Sequence, residues 1–453
     1  MCFVRRRLFL LLALASFVGA FGEASRASSG DPFFDARVRE PKYAGPGRAQ
    51  EPPGDLQEVR IGYFGPATAS HPVAGDMWCA AAMAIEQANE AGGYNGIPFR
   101  LVPAWSESPW GSGVAEVARM AYVHRVWAIV GGIDGPSTHL AEQVVAKARL
   151  ALVNPVATDK TVNLANVPWM FTCVPQDPAQ AKVLTRALVA RAGKQPFVMV
   201  SAVDHDSHLF AVELRKSLAR RGLAPAYQFQ LNPQQVEPRE PWPKVVAAKP
   251  GAVVLIADAA SSASWLPSLR GAGYEGPVFG GPWMGTRTFC EQAGSAAEGV
   301  IFPYLCENSP QARVFGERFR ERFGRRPDYL AAYTYDAVNL SIAAIRRAGL
   351  NRARICDALR IVSPWRGAAG AIQWNASGAN AREVGLGIIE GGVVRPLSER
   401  ALVRDQCVLG FGLPFPSTSV TSRSAATSSK MSVPPPIQRT STRSTRLRGP
   451  RPK

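Results

Sequence analysis

The stretch from Val126 to Thr158, VWAIVGGIDGPSTHLAEQVVAKARLALVNPVAT, constrains the fold more than any other part of the chain. VWAIV is a short, apolar, β-branched run of buried-strand length, and Gly131-Gly132 stops it. Gly135-Pro136-Ser137-Thr138 then opens a helix reaching about Arg149, with Ser137 or Thr138 as the capping hydroxyl. LALVNP reads as a second buried strand, followed by Val156-Ala157-Thr158. Two strands joined by one helix form a right-handed βαβ unit, so both end at the same edge of a parallel sheet. Small molecules bind at that edge. Both turns carry hydroxyls and free N–H groups at helix starts, which suit a carboxylate or another acceptor-rich group. The pair is therefore expected to form half of a ligand clamp.

The same alternation recurs along the chain. Strands are expected over Val59–Phe64, Ile97–Val102, Phe197–Ala202, Ala226–Gln230, Ala252–Ala257 and Pro277–Gly281, with helices of ten to fifteen residues between them. That pattern indicates α/β architecture with parallel sheets. It occurs twice, with extended segments at Asn166–Pro175 and Val300–Leu305 between the two sets. Two Rossmann-like lobes joined by crossing segments, hence a hinge, are expected. The boundaries read as lobe 1 over 56–175 with 307–386, and lobe 2 over 176–306 with 387–412.

The ends of the chain read differently. Arg5-Arg6-Arg7, an apolar run from Leu8 to Phe21 and small residues up to Ala27 have the form of a secretory signal over 1–27. The apolar run is too short for a comfortable membrane span. No cysteine follows it in the cleavage region, so a lipid anchor is not expected, and the mature protein is expected to be periplasmic or secreted. Residues 28–55 read as a flexible leader, and 413–453, rich in Ser, Thr, Pro and Arg, as a disordered basic tail. The net charge of +17 is concentrated there. The tail holds eight Lys or Arg and no acid, and the three leading arginines add to it, so the body carries +6. With no basic stripe interleaved with aromatics, nucleic acid is not an expected partner. Six cysteines remain after the signal, and they allow fifteen disulfide connectivities or buried free thiols.

Catalytic signatures are missing: no GxSxG elbow, P-loop, HExxH or strand-linked GxGxxG occurs. No enzyme activity and no cofactor are expected. Asp204, His205, Asp206 and His208 place metal-capable groups within five residues, but a His pair without a third helical His is weak. Either His208 toward the cleft or a plain polar loop is expected there, and no metal.

Several blocks together resemble the type I periplasmic solute-binding proteins, in particular the leucine/isoleucine/valine-binding family that feeds ABC transporters. They are IGYFGP, IVGGIDGPST, LVNPVAT, FTCVPQD, LRGAGYEGPVFGG, RFGRRPDYLAAYTYDAVNLSIAAIRRAG and GAIQWNASG. The resemblance covers about Leu56 to Leu413. It implies a ligand held between two lobes that close on a hinge, and ABC permease subunits as partners. It assigns Thr158 and the backbone at Val156 to the ligand carboxylate. The other carboxylate-holding hydroxyl falls at Gly135, with Ser137 and Thr138 as nearby substitutes. Aromatic positions fall at Ala74, His208 and Asp258, and the carboxylate that pairs with an amino-acid ammonium falls at Trp283. A buried ammonium needs a partner, so Asp258 or Asp134 takes that role, or the ligand is not an α-amino acid. A helix-capping role for Thr158, Ser137 and Thr138, and a solvated loop position for Asp258, are the plainer readings. Trp283, Trp105 and Trp110 read as packing groups or as walls of an aromatic-lined pocket. A ligand-sensing receptor on the same fold is the functional alternative.

Overall fold

The computed structural model describes residues 43, 47–107, 109–164, 167–193, 195–234 and 240–398. The segments read as a signal peptide (1–27) and as a basic tail (413–453), most of the expected leader, and Cys407 lie outside the described residues. The described part falls within one compact unit, Met1–Val408.

Lobe 1 begins with β1 (Val59–Phe64), α1 (Gly75–Glu90) and β2 (Phe99–Ala104). A helix, α2 (Val114–Ala118), follows, flanked by wider-wound turns over Pro109–Gly113 and Arg119–Val123. Then come β3 (Ala128–Gly131), α3 (Gly135–Ala148), β4 (Ala151–Asn154) and β5 (Met170–Pro175). β1, β3, β4 and β5 run parallel through the middle of the sheet. β3, β4 and β5 are buried at every residue, as expected of parallel strands covered by helices on both faces. β3 ends in Gly131 at φ 146°, where an added Cβ would fall 2.3 Å from the Phe64 carbonyl oxygen, so the strand stops where only glycine fits.

Lobe 2 holds α4 (Asp177–Ala192), β6 (Phe197–Ala202), α5 (His205–Ala219), β7 (Tyr227–Leu231), α6 (Trp242–Ala247), β8 (Ala252–Ile256), α7 (Ala259–Gly271), β9 (Val278–Gly280), α8 (Arg287–Ala293) and β10 (Ile301–Tyr304). The chain then returns to lobe 1 as α9 (Pro310–Phe323), α10 (Tyr329–Ala348) and α11 (Arg352–Ile361). A small antiparallel pair follows, β11 (Trp365–Arg366) with β12 (Ala371–Ile372). β13 (Ala379–Asn380) adds to the edge of the first sheet beside β5. β14 (Gly385–Glu390) and β15 (Val393–Leu397) close the second sheet. The strand orders are β13-β5-β4-β3-β1-β2 and β15-β14-β10-β9-β8-β6-β7. The two-lobed α/β architecture is the one expected from the alternation of elements.

Three segments cross between the lobes: β5 to α4, β10 to α9, and β13 to β14. The lobe boundary expected at 386 lies slightly earlier, because Leu386 pairs with Pro303 and Ile388 with Ile301 in the second sheet. Within the block GAIQWNASG, only Ala371–Ile372 is strand, paired in the local hairpin. The last part of the leader is also tied down. The Asn351 side-chain amide donates to the carbonyls of Gly47, Arg48 and Gln50, and Arg48 pairs with Asp357. Among the described residues, the five cysteines are free thiols, and no helix is long and apolar enough to cross a membrane.

Candidate functional site

The site is built where the N-terminus of α3 in lobe 1 meets the N-terminus of α5 in lobe 2. Asp134 caps α3: its carboxylate accepts the Ser137 N–H at 2.8 Å, and the Ser137 hydroxyl reaches back to the Ile133 and Asp134 N–H groups. The Thr138 hydroxyl donates to the Asp134 carbonyl at 2.7 Å and accepts from the Asn154 amide at 2.7 Å. Asn154, fully buried at the end of β4, also accepts the N–H groups of Val156 and Ala157 at 2.8 Å each. One amide therefore fixes both turns of the βαβ unit to each other. Ser137 and Thr138 have no exposed surface and serve the helix cap, the plainer of the two roles considered for them.

Thr158 is buried beneath these turns. Its carbonyl accepts the Asp177 N–H at 2.9 Å. Asp177, the first residue of α4, is fully buried, and burial pushes its carboxyl up to about 8. Its Oδ1 has no hydrogen-bond partner.

Gly135 meets the opposite lobe. Its N–H donates to both oxygens of Asp206 in α5, at 3.2 and 3.1 Å. A carboxylate on the first N–H of a helix is a favourable anion position. Burial pushes Asp206 up to about 7, while the Gly135 N–H pulls it down. The seat that the family resemblance gives to a ligand carboxylate thus holds a carboxylate of the protein itself. The absence of a hydroxyl at Gly135 has a physical reason. A Cβ there would lie 2.3 Å from Asp206 Oδ1 and 3.0 Å from His205 Cδ2, so only glycine lets the two helix starts approach this closely.

Further contacts bridge the lobes. Lys160 pairs with Glu213 of α5 at 2.8 Å. Asp76, in the first turn of α1, takes Arg287 of α8 at 2.9 Å and Arg325 at 2.7 Å. Thr288 donates to the Pro72 carbonyl at 2.7 Å. His139 of α3 and His205 both face Asp159, at 2.9 and 3.2 Å. Burial alone would raise Asp159, but bonds from His139, Thr161 and His205 outweigh it and hold the carboxyl well below the usual range. The same Asp159, with Glu142, raises His139 to about 9. The lobes are closed on each other in this state.

Asp258 is exposed, and its carboxylate accepts the Ala260 and Ser261 N–H groups at 2.9 and 3.0 Å while taking the Ser261 hydroxyl. Both of its oxygens serve the cap of α7. His208 is exposed on α5, one turn beyond Asp204, and does not reach the α3 side as His205 does. Trp283 is half-buried, packed edge-on against Phe210 with ring centroids 5.7 Å apart. Ala74, at an aromatic position of the resemblance, is fully buried. The groups that sequence reasoning passed over are Asp206, Asp177, Asp159 and His139. They come from separate elements: His139, Asp177 and Asp206 lay in stretches singled out beforehand without being assigned to the site, and Asp159 lay just beyond one.

A cavity of about 810 Å³ opens between the lobes on the hinge side. Gly285, Arg287 and Tyr304 line it from lobe 2, and Arg325, Asp328 and Tyr329 from lobe 1. That volume is in the range of small-molecule sites. A second cavity of about 720 Å³ lies at the far end of lobe 1, by Arg149 and Arg352.

Residues 58–384 match the family model described as periplasmic binding protein. The chain is 23% identical over 306 residues to the leucine-, isoleucine-, valine-, threonine- and alanine-binding protein of Pseudomonas aeruginosa, covering 67% of this chain and 82% of that protein. The branched-chain amino acid transporter substrate binding protein of Streptococcus pneumoniae, solved with isoleucine, superposes with a TM-score of 0.67 at 20% identity, covering 75% of this chain and 99% of that one. A solute binding protein of an ABC transporter from R. palustris, solved with benzoate, gives 0.66 at 15% identity, covering 75% and 95%. The matched span takes in the whole first sheet and all of the second except β14 and β15, and the chain belongs to the periplasmic binding protein family.

Proposed function

We propose that this protein is an exported binding protein that captures a small organic solute between its lobes and presents it to the permease of an ABC importer. Binding proceeds without turnover. The observation that carries the reading is the meeting of α3 and α5 at their N-termini, with cross-lobe contacts on either side. Such an arrangement has two states, apart and together, and a solute that contacts both lobes favours the second.

The ligand class follows from what the cleft offers. Trp283 stands where the family pairs an ammonium, Asp258 caps its own helix, and Asp206 sits on the Gly135 N–H. A zwitterionic α-amino acid held in the family manner would have to displace Asp206 and find another partner for its ammonium. A monocarboxylate with an apolar or aromatic body needs only the first of these. The benzoate-bound relative has such a ligand. We therefore place small apolar or aromatic acids ahead of amino acids and amides.

The test is a thermal-shift panel of amino acids, amides and aromatic acids on wild type and Asp206→Ala. A ligand present at 100 times its Kd raises stability by about 2.7 kcal/mol. A carboxylate that uses the Gly135 seat should bind Asp206→Ala more tightly than wild type. A flat response of both proteins across the panel contradicts the proposal.

A further inference from the structure

Three ligand-type atoms converge beside the Gly135–Asp206 contact: His139 Nε2, Asp159 Oδ2 and His205 Nε2 all lie within 4.8 Å of one another. The carboxylate oxygen is 2.9 Å from one imidazole nitrogen and 3.2 Å from the other. The rings stand edge to face, with centroids 5.9 Å apart. Asp159 is 2% exposed and rigidly held, because its Oδ1 accepts the Thr161 N–H at 2.7 Å and its Oδ2 the Thr161 hydroxyl at 2.6 Å.

Behind His139 stands another acid. Its Nδ1 faces Glu142 Oε2 at 3.3 Å, and the other oxygen of Glu142 is buried without a partner. A carboxylate on the far nitrogen of an imidazole keeps the proton there and leaves the near nitrogen's lone pair free for a cation. Two imidazoles and one carboxylate form a donor set suited to zinc and its first-row neighbours. In a tetrahedral site with bonds of about 2.0–2.1 Å, ligand atoms sit roughly 3.3–3.4 Å apart. The two carboxylate-to-imidazole separations, 2.9 and 3.2 Å, need to open by only a few tenths of an ångström, and the two imidazole nitrogens lie within 4.8 Å of each other.

We propose that His139, Asp159 and His205 form a site for a divalent transition metal of the zinc type. Two ligands come from lobe 1 and one from lobe 2. The ion is bound fully only when α5 lies against α3, so it acts as a clasp that favours the closed arrangement. With three protein ligands, the fourth position is left to water or to the Thr161 hydroxyl. The inference stands apart from the identity of the organic solute and from transport itself.

The test uses tag-free, chelator-stripped full-length protein titrated with Zn2+ alone by calorimetry, with Co2+ absorption as a geometric reporter. One zinc ion per chain is expected, with a tetrahedral cobalt spectrum lacking a thiolate band and a smaller radius of gyration on metal addition. Glu142→Gln should weaken binding by about 10- to 100-fold and His205→Gln by at least as much. His208→Gln, exposed on the same helix, should leave it unchanged. Far-UV circular dichroism checks that each variant folds. Absence of one-to-one zinc binding in wild type, unchanged binding in folded His139→Gln and His205→Gln, or a cobalt–thiolate band would each overturn the proposal.

Discussion

Gly135→Ala tests the closed contact at its narrowest point. The new methyl carbon would fall 2.3 Å from Asp206 Oδ1 and 3.2 Å from His205 Nε2. The Asp206 side chain can rotate away or the lobes can part by about 1 Å. In either case the bonds at 3.1 and 3.2 Å from the Gly135 N–H are lost. A hydrogen bond to a charged group contributes about 1.5–3 kcal/mol. The closed arrangement should therefore lose about 10- to 150-fold in population relative to the open one. Lobe 1 itself should not suffer, because Gly135 starts α3 without a positive φ and alanine is a better helix former than glycine. Small-angle scattering reads the effect. The expected result is a larger radius of gyration of the unliganded protein, with its melting temperature nearly unchanged. Asp206→Ala added to Gly135→Ala removes the clash but not the loss of the bonds from the Gly135 N–H, so the double variant should be no more compact than Asp206→Ala alone. If Gly135→Ala scatters like wild type, the cross-lobe contact has no part in closure.

Other consequences are equally open to measurement. Asp336 accepts the Ala368 and Ala369 N–H groups at 2.8 Å each, and burial pushes its carboxyl up to about 7. The folded state thus holds a proton that the unfolded chain, with an aspartate near 3.9, has released. Stability from this group should fall as pH rises from about 4 to about 7, by up to about 4 kcal/mol, and level off above. Denaturant unfolding of wild type and Asp336→Asn across that range should show a slope steeper in wild type by this amount, because Asp177 and Asp206 titrate in both proteins. Asn154→Ala leaves the Val156 and Ala157 N–H groups unpaired in a buried turn, so it should destabilise the protein by about 2–4 kcal/mol in the same assay. Asp258→Ala should cost only about 0.5–2 kcal/mol for the lost cap of α7 and leave solute affinity unchanged; a tenfold weaker Kd would return Asp258 to the site.

How far the chain could be read in advance depended on the range of each interaction. VWAIV, LALVNP and the Gly-Pro-Ser-Thr helix start are local signals, and they became β3, β4 and α3 with an Asp134 cap. The cleft is different. Gly135 and Asp206 are 71 positions apart, and nothing near either residue announces the other. Gly135 read as a missing hydroxyl, when the space is taken by a carboxylate from the opposite lobe. Asp258 sits at the strand edge where ligands bind, which made it a candidate. The unsatisfied N–H groups of its own helix are closer than any ligand, and they claimed it. Asp159 and His139 carried no pattern at all, since their meeting depends on the turn after Thr158 folding back over α3.

The central claim is that a solute is enclosed between the two lobes. A crystal structure of the protein with its co-purified solute, identified by mass spectrometry from the same preparation, tests it most directly. The account predicts the solute touching residues of both lobes, with α3 and α5 drawn together over it. A solute seated instead in the cavity by Arg149 and Arg352, touching lobe 1 alone, would contradict it.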